Sequence, residues 1–171
     1  AKKYPLAITS QVPLLVEELI SGQSLTCDGF VYKGEINFIG LVDTVEAQDV
    51  SVDCYAFPSQ LSQVQKNAIY ERITNFIQNS GLDNSFFSAE FWIQEQNSPI
   101  LIEMNARMSV TFCSLYQHSL NLNLPLAGLK LAQGIRPQIP KRTSAEQKRT
   151  SIRLYLSTRK SGLASTLFDF S

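Results

Sequence analysis

The stretch LIEMNAR at residues 101–107 is an apolar run that carries two polar side chains, Glu103 and Asn105. Side chains alternate between the two faces of a strand, so we expect Glu103 and Asn105 to project from the same side. A second strand-like run covers about 86–93 and carries Glu90. Because a polar, turn-like segment joins the two runs, the sequence predicts a β-hairpin here.

The register of this hairpin brings two carboxylates together. A turn centred on Gln96 and Asn97 places Glu90 directly opposite Glu103, where paired Cβ atoms lie about 4.5–5.5 Å apart. Two carboxylates at that separation repel each other by roughly 1 kcal/mol in water, and several times more when partly buried. The pair must therefore share a proton, bind a cation or destabilise the hairpin.

The residues that follow favour the cation. Asn105 adds a neutral oxygen ligand, and Arg107 adds a planar cation that pairs with anions. Such oxygen ligands suit a hard divalent cation that also binds phosphates. The pattern therefore predicts a metal site formed by Glu90, Glu103 and Asn105. A solvated hairpin face is the alternative for the three ligands, and a surface salt bridge is the alternative for Arg107.

The rest of the chain predicts an α+β fold in which helices pack on a mostly antiparallel sheet. Residues 43–50 are polar and are predicted to form a loop. Ser62 and Gln65 form a capping box at a helix start, and Gly81 is a natural helix end. The predicted strands outside the hairpin are 13–20, 25–32, 35–42, 50–57 and 151–156. The predicted helices are 62–77, 109–119 and 124–133.

Composition narrows the class of protein. The chain has 171 residues, 44% hydrophobic and 18% charged, with 15 basic and 15 acidic residues. A net charge of zero provides no field that would recruit nucleic acid or an anionic membrane. No apolar run approaches the length of a membrane span, and the start of the chain is not signal-like. We therefore expect a cytoplasmic protein.

Several single residues have ordinary explanations at this stage. The three cysteines are odd in number and lack a CxxC spacing, so they are predicted to be reduced. His118 is predicted to be packed or on a helix surface, and Asp28 and Asp43 to be turn or strand-end residues. Trp92 either packs in the core or lines a pocket. The basic segment 141–160 is a solvated surface or a surface that faces phosphate or another domain.

The chain resembles the ATP-grasp superfamily, and within it the carboxylate–amine ligases, which include D-alanine–D-alanine ligase and the amino-acid ligases. The resemblance rests on VEELISG at 16–22, the following hairpin, Phe57–Pro58, Glu90 and EMNAR at 103–107. It covers only the C-terminal subdomain of the family fold. It implies one such subdomain over 1–171, with a core at about 13–134, a C-terminal extension at 135–171 and no N-terminal parts of the family fold.

The resemblance implies a reaction and its cofactors. ATP phosphorylates a substrate carboxylate to an acylphosphate, and an amine then attacks it and releases phosphate. Mg²⁺, or Mn²⁺ in its place, bridges the phosphates and is held by Glu90, Glu103 and Asn105. Arg107 is implied as the catalytic residue that steadies the acylphosphate or a substrate carboxylate.

The resemblance also implies a nucleotide pocket. The implied adenine contacts are Glu17, Glu18, Leu19 and Ile20. Ser24 is implied as a shorter and weaker ribose contact, in the place where the family usually has a ribose-binding Glu. Two further departures are Ser88, where the family often has His or Arg, and Ser109–Val110, where a glycine pair often follows.

Two functions stay open from the sequence. The first is part of an amino-acid or peptide-type ligase, with ATP, a small carboxylate, an amine and the remaining domains of a longer chain as partners. In that case we expect the chain alone to be inactive. The alternative is a degenerate, non-catalytic module that binds nucleotide or regulates. The sequence also leaves open a homodimer.

Overall fold

Six strands form one antiparallel sheet in the computed structural model, which describes residues 16–46, 52–94, 98–141, 150–156 and 162. The strands are β1 (Gln23–Tyr32), β2 (Glu35–Glu46), β3 (Val52–Phe57), β4 (Ser85–Ile93), β5 (Pro99–Asn105) and β6 (Ser151–Leu156). The helices are α1 (Gln63–Ser80), α2 (Cys113–Leu120) and α3 (Leu124–Ala132), and a 3₁₀ turn at Val110–Phe112 precedes α2. The order in the sheet is β5-β4-β1-β2-β3-β6. The predicted α+β class is confirmed.

The β1–β2 hairpin forms as predicted but is longer. Lys33 and Gly34 make its turn with φ values of 51° and 77°, the left-handed geometry that two-residue hairpin turns favour. The predicted loop is wrong at its start, because β2 continues to Glu46. There it gains a partner in β3, with Asp43 opposite Ala56.

The predicted strand at 13–20 is wrong for the residues that the structure describes. Residues 16–20 have no regular secondary structure, and Val16 and Leu19 are 89% and 96% exposed. The apolar pattern there suggested a strand, but no strand of the sheet pairs with this segment. Residues 13–15 lie outside the described part of the chain.

Helix α1 covers one face of the sheet. Ser62 and Gln65 form the predicted capping box, and Gly81 ends the helix in the left-handed conformation. Ile69, Ile73 and Ile77 are buried against the sheet. The sheet residues of this α1-side core include Leu25, Cys27, Phe87, Ala89 and Phe91.

Helices α2 and α3 cover part of the opposite face. Their buried side chains, among them Leu115, Tyr116 and Leu131, pack against Phe30, Phe57 and Phe86 of the sheet. Alternation along β1 and β4 explains the division, because even-numbered positions face α2 and odd-numbered positions face α1. Near the start of β1, the α2-side face carries Ser24, Thr26 and Asp28 instead of aromatic residues, and Glu90 and Ser88 of β4 lie opposite Thr26 and Asp28.

Candidate functional site

Glu90 lies directly opposite Glu103 in the β4–β5 pair, and Ser88 lies opposite Asn105. The predicted facing of the two carboxylates is therefore present in the structure. The route to it differs from a simple hairpin, because Phe91 pairs with Leu101 and Ile102 is left over as a β-bulge. Bulges bend and twist a strand and re-aim its side chains. This bulge sets the register in which the two carboxylates meet.

Both carboxylates are exposed, whereas Asn105 is partly buried. The Asn105 amide nitrogen has no hydrogen-bond partner among the described residues. No hydrogen bond from this nitrogen to another described residue therefore fixes the orientation of the amide, whose oxygen is a neutral ligand for a cation. Two facing carboxylates and one such amide are hard oxygen donors, so the set fits Mg²⁺.

The set holds fewer acidic ligands than a dedicated protein cage. Among the described residues, no group of three or more His, Cys, Asp or Glu side chains is arranged to hold a metal ion. Mg²⁺ commonly binds through one or two carboxylates and completes its shell with water and substrate phosphates. The Glu90–Glu103 pair matches that mode of binding.

Arg107 follows β5 and lines a cleft with Glu90. Its guanidinium donates to the carbonyl of Met108 at 3.4 Å, a long contact. Between described residues, the ion pair found is Arg136–Glu35, and Arg107 forms none with Glu90 or Glu103. The side chain is exposed and is thus available to an anion.

The cleft beside Arg107 has a volume of about 220 Å³ and is named here the hydroxyl pocket. Seven of its ten lining side chains carry a hydroxyl. Besides Tyr55, these are Ser24, Thr26, Thr44, Ser88, Ser109 and Thr111. Glu90, Arg107 and Phe112 complete the lining. The pocket offers many neutral hydrogen-bonding groups beside one negative and one positive charge.

Asp28 lies in the floor of this region and is only 2% exposed. It sits two positions after Thr26 on β1 and opposite Ser88 on β4. The Tyr116 hydroxyl of α2 donates to its Oδ2 at 2.7 Å, whereas Oδ1 has no hydrogen-bond partner among the described residues. The expectation that Asp28 is a turn or strand-end residue is therefore wrong.

The environment of Asp28 changes its ionisation. Burial is the largest effect and raises the pKa of the carboxyl to about 6. The Tyr116 hydrogen bond, the nearby Ser88 hydroxyl and the charge of Arg107 oppose that rise, while the charge of Glu90 adds to it. The pKa of Tyr116 is in turn raised well above its usual value, by burial and by Asp28. Asp28 thus links α2 to the charged residues of the site.

A second cleft, named here the base cleft, has a volume of about 490 Å³. One wall consists of the segment Glu17–Ile20, and the other includes Trp92 of β4 and residues 100–102 of β5. The structure therefore brings the implied adenine contacts next to an aromatic ring and two isoleucines. Trp92, for which packing was one interpretation, lines this cleft.

Three other residues singled out in the sequence, Ser24, His118 and Asp43, lie outside the base cleft. Ser24 lines the hydroxyl pocket, not the base cleft. His118 is exposed in the last turn of α2, as predicted. Asp43 is buried within β2, paired on both sides, so the expectation of a turn or strand-end residue is wrong. Its Oδ2 accepts from the backbone nitrogen of Gln60. Most of the segment 141–160 lies outside the described residues.

Sequence reasoning missed Asp28 and most of the hydroxyl pocket. A signal was present near the start of β1, where every second residue is polar: Ser24, Thr26 and Asp28. The residues between them, Leu25 and Cys27, are apolar. Such alternation indicates a polar stripe on one face. The signal does not reveal that Thr44 and Ser109 meet the same stripe, since they come from distant parts of the chain.

Comparison with models of protein families assigns the chain to a family. The family model described as ATP-grasp domain matches residues 1–115, which is more than half of the sequence. The chain belongs to the ATP-grasp family. No curated protein sequence matches it significantly.

Solved structures with the same fold agree with an ATP-grasp assignment. Phosphoribosylglycinamide synthetase from Anaerococcus prevotii aligns at a TM-score of 0.65 and 16% identity, over 79% of this chain and 35% of that one. L-amino acid ligase from Bacillus licheniformis aligns at 0.56 and 20%, over 70% and 34%. Biotin carboxylase from Campylobacter jejuni aligns at 0.59 and 18%, over 73% and 28%.

This ATP-grasp chain spans about a third of the length of the first two of these structures. At such low identity the similarity establishes the fold alone. In the described part of the chain, no helix is both long enough and apolar enough to cross a bilayer.

Proposed function

We propose that this chain forms the nucleotide- and metal-binding part of an ATP- and Mg²⁺-dependent carboxylate–amine ligase that works through an acylphosphate. The observation that carries the proposal is the order of three features along β4 and β5. The base cleft lies beside Trp92, the carboxylate pair Glu90–Glu103 follows, and the hydroxyl pocket adjoins Glu90. A nucleotide, its metal and an acid would need this order.

Each part of the reaction has a candidate residue. Glu17 would accept a hydrogen bond from the adenine amino group, and the backbone of Glu18 and Ile20 would bind the ring edge. Bound Mg²⁺ would neutralise phosphate charge, held by the oxygens of Glu90, Glu103 and Asn105. These residues suit the roles by donor chemistry and by their shared edge of the sheet.

Arg107 would steady the charge that moves during the reaction. A substrate carboxylate oxygen attacks the γ-phosphorus of ATP, and the bond from that phosphorus to the bridging oxygen breaks to leave ADP. The amine nitrogen then attacks the acyl carbon, and inorganic phosphate leaves. A planar, permanently charged guanidinium can bind two oxygens of such an acylphosphate at once, and Arg107 lines the pocket next to Glu90.

Trp92 provides a direct test of nucleotide binding. It is the only tryptophan of the chain and lines the base cleft, so ATP added with Mg²⁺ should change the intrinsic fluorescence of the protein. Removing one charged ligand should weaken this Mg²⁺–ATP binding by about tenfold or more, since 1.4 kcal/mol corresponds to a factor of ten. The variant is Glu103→Gln.

The matched control is Glu71→Gln on the exposed surface of α1. It removes the same charge away from both clefts and should leave the titration unchanged. A wild-type protein whose tryptophan fluorescence does not respond to Mg²⁺–ATP would contradict the proposal. A titration that Glu103→Gln does not alter would contradict the metal assignment alone.

A non-catalytic nucleotide-binding module is the second candidate, and Ser24 and Ser88 favour it. Both short hydroxyl side chains stand where the resemblance implies longer functional groups. ADP release by the protein in its native length distinguishes the candidates. A ligase releases ADP only when a carboxylic acid is added, whereas the module binds nucleotide without turnover.

A further inference from the structure

We infer that the acid bound in the hydroxyl pocket is small and hydrophilic, with hydroxyl or amino groups in place of an apolar side chain. The inference rests on the proposed function, because it assigns a substrate class to the same site. Its basis is the convergence of hydroxyl groups from separate elements. Ser24 and Thr26 come from β1, Thr44 from β2, Ser88 from β4, and Ser109 and Thr111 from the segment after β5.

This convergence is not a general property of the sheet face. Later in β1 and earlier in β4, the same face carries Phe30 and Phe86, whose rings lie 5.6 Å apart. Thr26 and Ser88 are 7% and 3% exposed and are therefore part of the interior wall. Buried positions of a sheet usually hold apolar residues. The Ser88 hydroxyl lies beside the Asp28 carboxyl, whereas the hydroxyl at Thr26 indicates a polar ligand or ordered water.

Hydrogen bonding explains why an apolar acid would bind poorly. An apolar acid would displace water from the pocket and would offer the hydroxyl groups no hydrogen-bond partner in place of that water. Leaving a buried polar group unpaired costs the full free energy of its desolvation. Sites built to hydrogen-bond a substrate hydroxyl reject the analogue that lacks it far more strongly than apolar pockets reject an added hydroxyl. The Thr26 and Thr44 hydroxyls make this discrimination possible from two strands.

The volume of the hydroxyl pocket and the charge of Arg107 limit the size and the chemical type of the acid further. The pocket volume of about 220 Å³ is below the roughly 300–1,000 Å³ of typical ligand clefts, which favours a small acid. Arg107 supplies the cation for its carboxylate. Phe112 is the described lining residue that lacks a polar side-chain atom, so an extended apolar group would find little to pack against.

Isosteric pairs of acids test the inference in the protein in its native length. The pairs are L-threonine with L-valine, and 3-hydroxybutyrate with 3-methylbutyrate, in which a methyl group replaces a hydroxyl. Hydroxylamine serves as the amine: its nitrogen attacks the acyl carbon, phosphate leaves, and the acid is recovered as its hydroxamate. We expect the hydroxylated member of at least one pair to react about tenfold faster or more, the factor that one lost hydrogen bond produces.

Two variants test whether the pocket hydroxyls cause the preference for the hydroxylated acid. Thr26→Val and Thr44→Val keep the shape of the side chain and remove its hydroxyl, so each should lower the hydroxyl-to-methyl rate ratio. Thr74→Val is the matched control, since its hydroxyl donates to the Tyr70 carbonyl within α1 on the other side of the sheet. This control should leave the ratio unchanged.

The outcomes separate this inference from the proposed function. Faster reaction of the apolar member, equal rates for both members, or no hydroxamate from any of the four acids would overturn the hydrophilic substrate class. A ratio that neither Thr26→Val nor Thr44→Val alters would also overturn it. The Trp92 titration with Mg²⁺–ATP does not depend on the acid, so it tests the nucleotide site independently of the acid site.

Discussion

At the scale of single residues, burial changes the ionisation of Asp28. Its pKa of about 6 lies above the usual value of 3.8, so the folded state holds a proton that the unfolded state has already lost between these two values. Stability from this group is therefore fully present below pH 3.8 and is lost as the pH rises to about 6.

We predict that Asp28→Asn removes this pH dependence. The wild-type free energy of unfolding should fall by about 2–3 kcal/mol from this group between pH 4 and 6, since each pKa unit corresponds to 1.36 kcal/mol. The variant should lack that part of the fall, because asparagine does not ionise. Urea denaturation of both proteins across this range measures the difference. Parallel pH profiles of the two proteins would contradict the assignment.

Tyr116→Phe gives the complementary result. The Tyr116 hydroxyl donates to the Asp28 carboxylate at 2.7 Å and holds the pKa down. Its removal should raise the pKa of Asp28 further and extend the loss of stability to higher pH. A profile that ends at the same pH as in the wild type would show that this hydrogen bond does not control Asp28.

The charged residues of the site differ in how far the sequence predicts them. The facing of Glu90 and Glu103 follows from strand alternation and the position of a turn, which are local properties. The role of Asp28 depends on Tyr116, a residue 88 positions away in the sequence. This contact depends on how α2 packs on the sheet, so no local sequence pattern predicts it.

At the scale of elements, Gly22 fixes the segment 16–21 against the end of β4. Its φ of 149° and the space around it suit glycine alone, because an added Cβ would lie 2.3 Å from the Ile93 carbonyl oxygen. We predict that Gly22→Ala moves this segment and weakens the Mg²⁺–ATP response of Trp92 by about tenfold, a loss of 1.4 kcal/mol.

Gly81→Ala is the control for that prediction. Gly81 also has a positive φ of 71°, but a Cβ there meets no atom within 4 Å. The change should destabilise the end of α1 by about 1–2 kcal/mol, the cost of the left-handed conformation for a residue with a Cβ, and leave the Trp92 titration unaltered. Equal effects of the two alanine variants on nucleotide binding would contradict a specific role for Gly22.

The elements also show where local signals are sufficient. The capping box of α1 and the Lys33–Gly34 turn are encoded within a few residues and were predictable. The continuation of β2 over residues 43–46 was not, because its polar residues resemble a loop until β3 pairs with them. Asp43 in particular is buried, and its carboxylate accepts a hydrogen bond from the backbone nitrogen of Gln60.

At the scale of the whole molecule, one sheet separates two apolar clusters. Ile73 belongs to the α1-side cluster and Leu115 to the α2-side cluster. Both are almost completely buried, so we expect Ile73→Ala and Leu115→Ala each to lower the free energy of unfolding by about 2–5 kcal/mol.

The two losses should add, because the residues lie in separate clusters on opposite faces. Additivity within about 0.5 kcal/mol is usual for sites that do not touch. Urea denaturation of the single and double variants measures it, and a coupling well above that value would show that the faces communicate through the sheet. Only Leu115→Ala should disturb Asp28, since the adjacent residue Tyr116 contacts it.

The β-bulge at Ile102 divides β5 into a part that borders the base cleft and a part that carries Glu103 and Asn105. A strand rises about 3.3 Å per residue, so its backbone measures about 10 Å from Ile100 to Glu103. Under the proposed function, β5 sets the minimum length of a ligand that contacts both parts. We therefore expect selection among nucleotides by length: Mg²⁺ should strengthen the binding of ATP and leave that of adenosine unchanged.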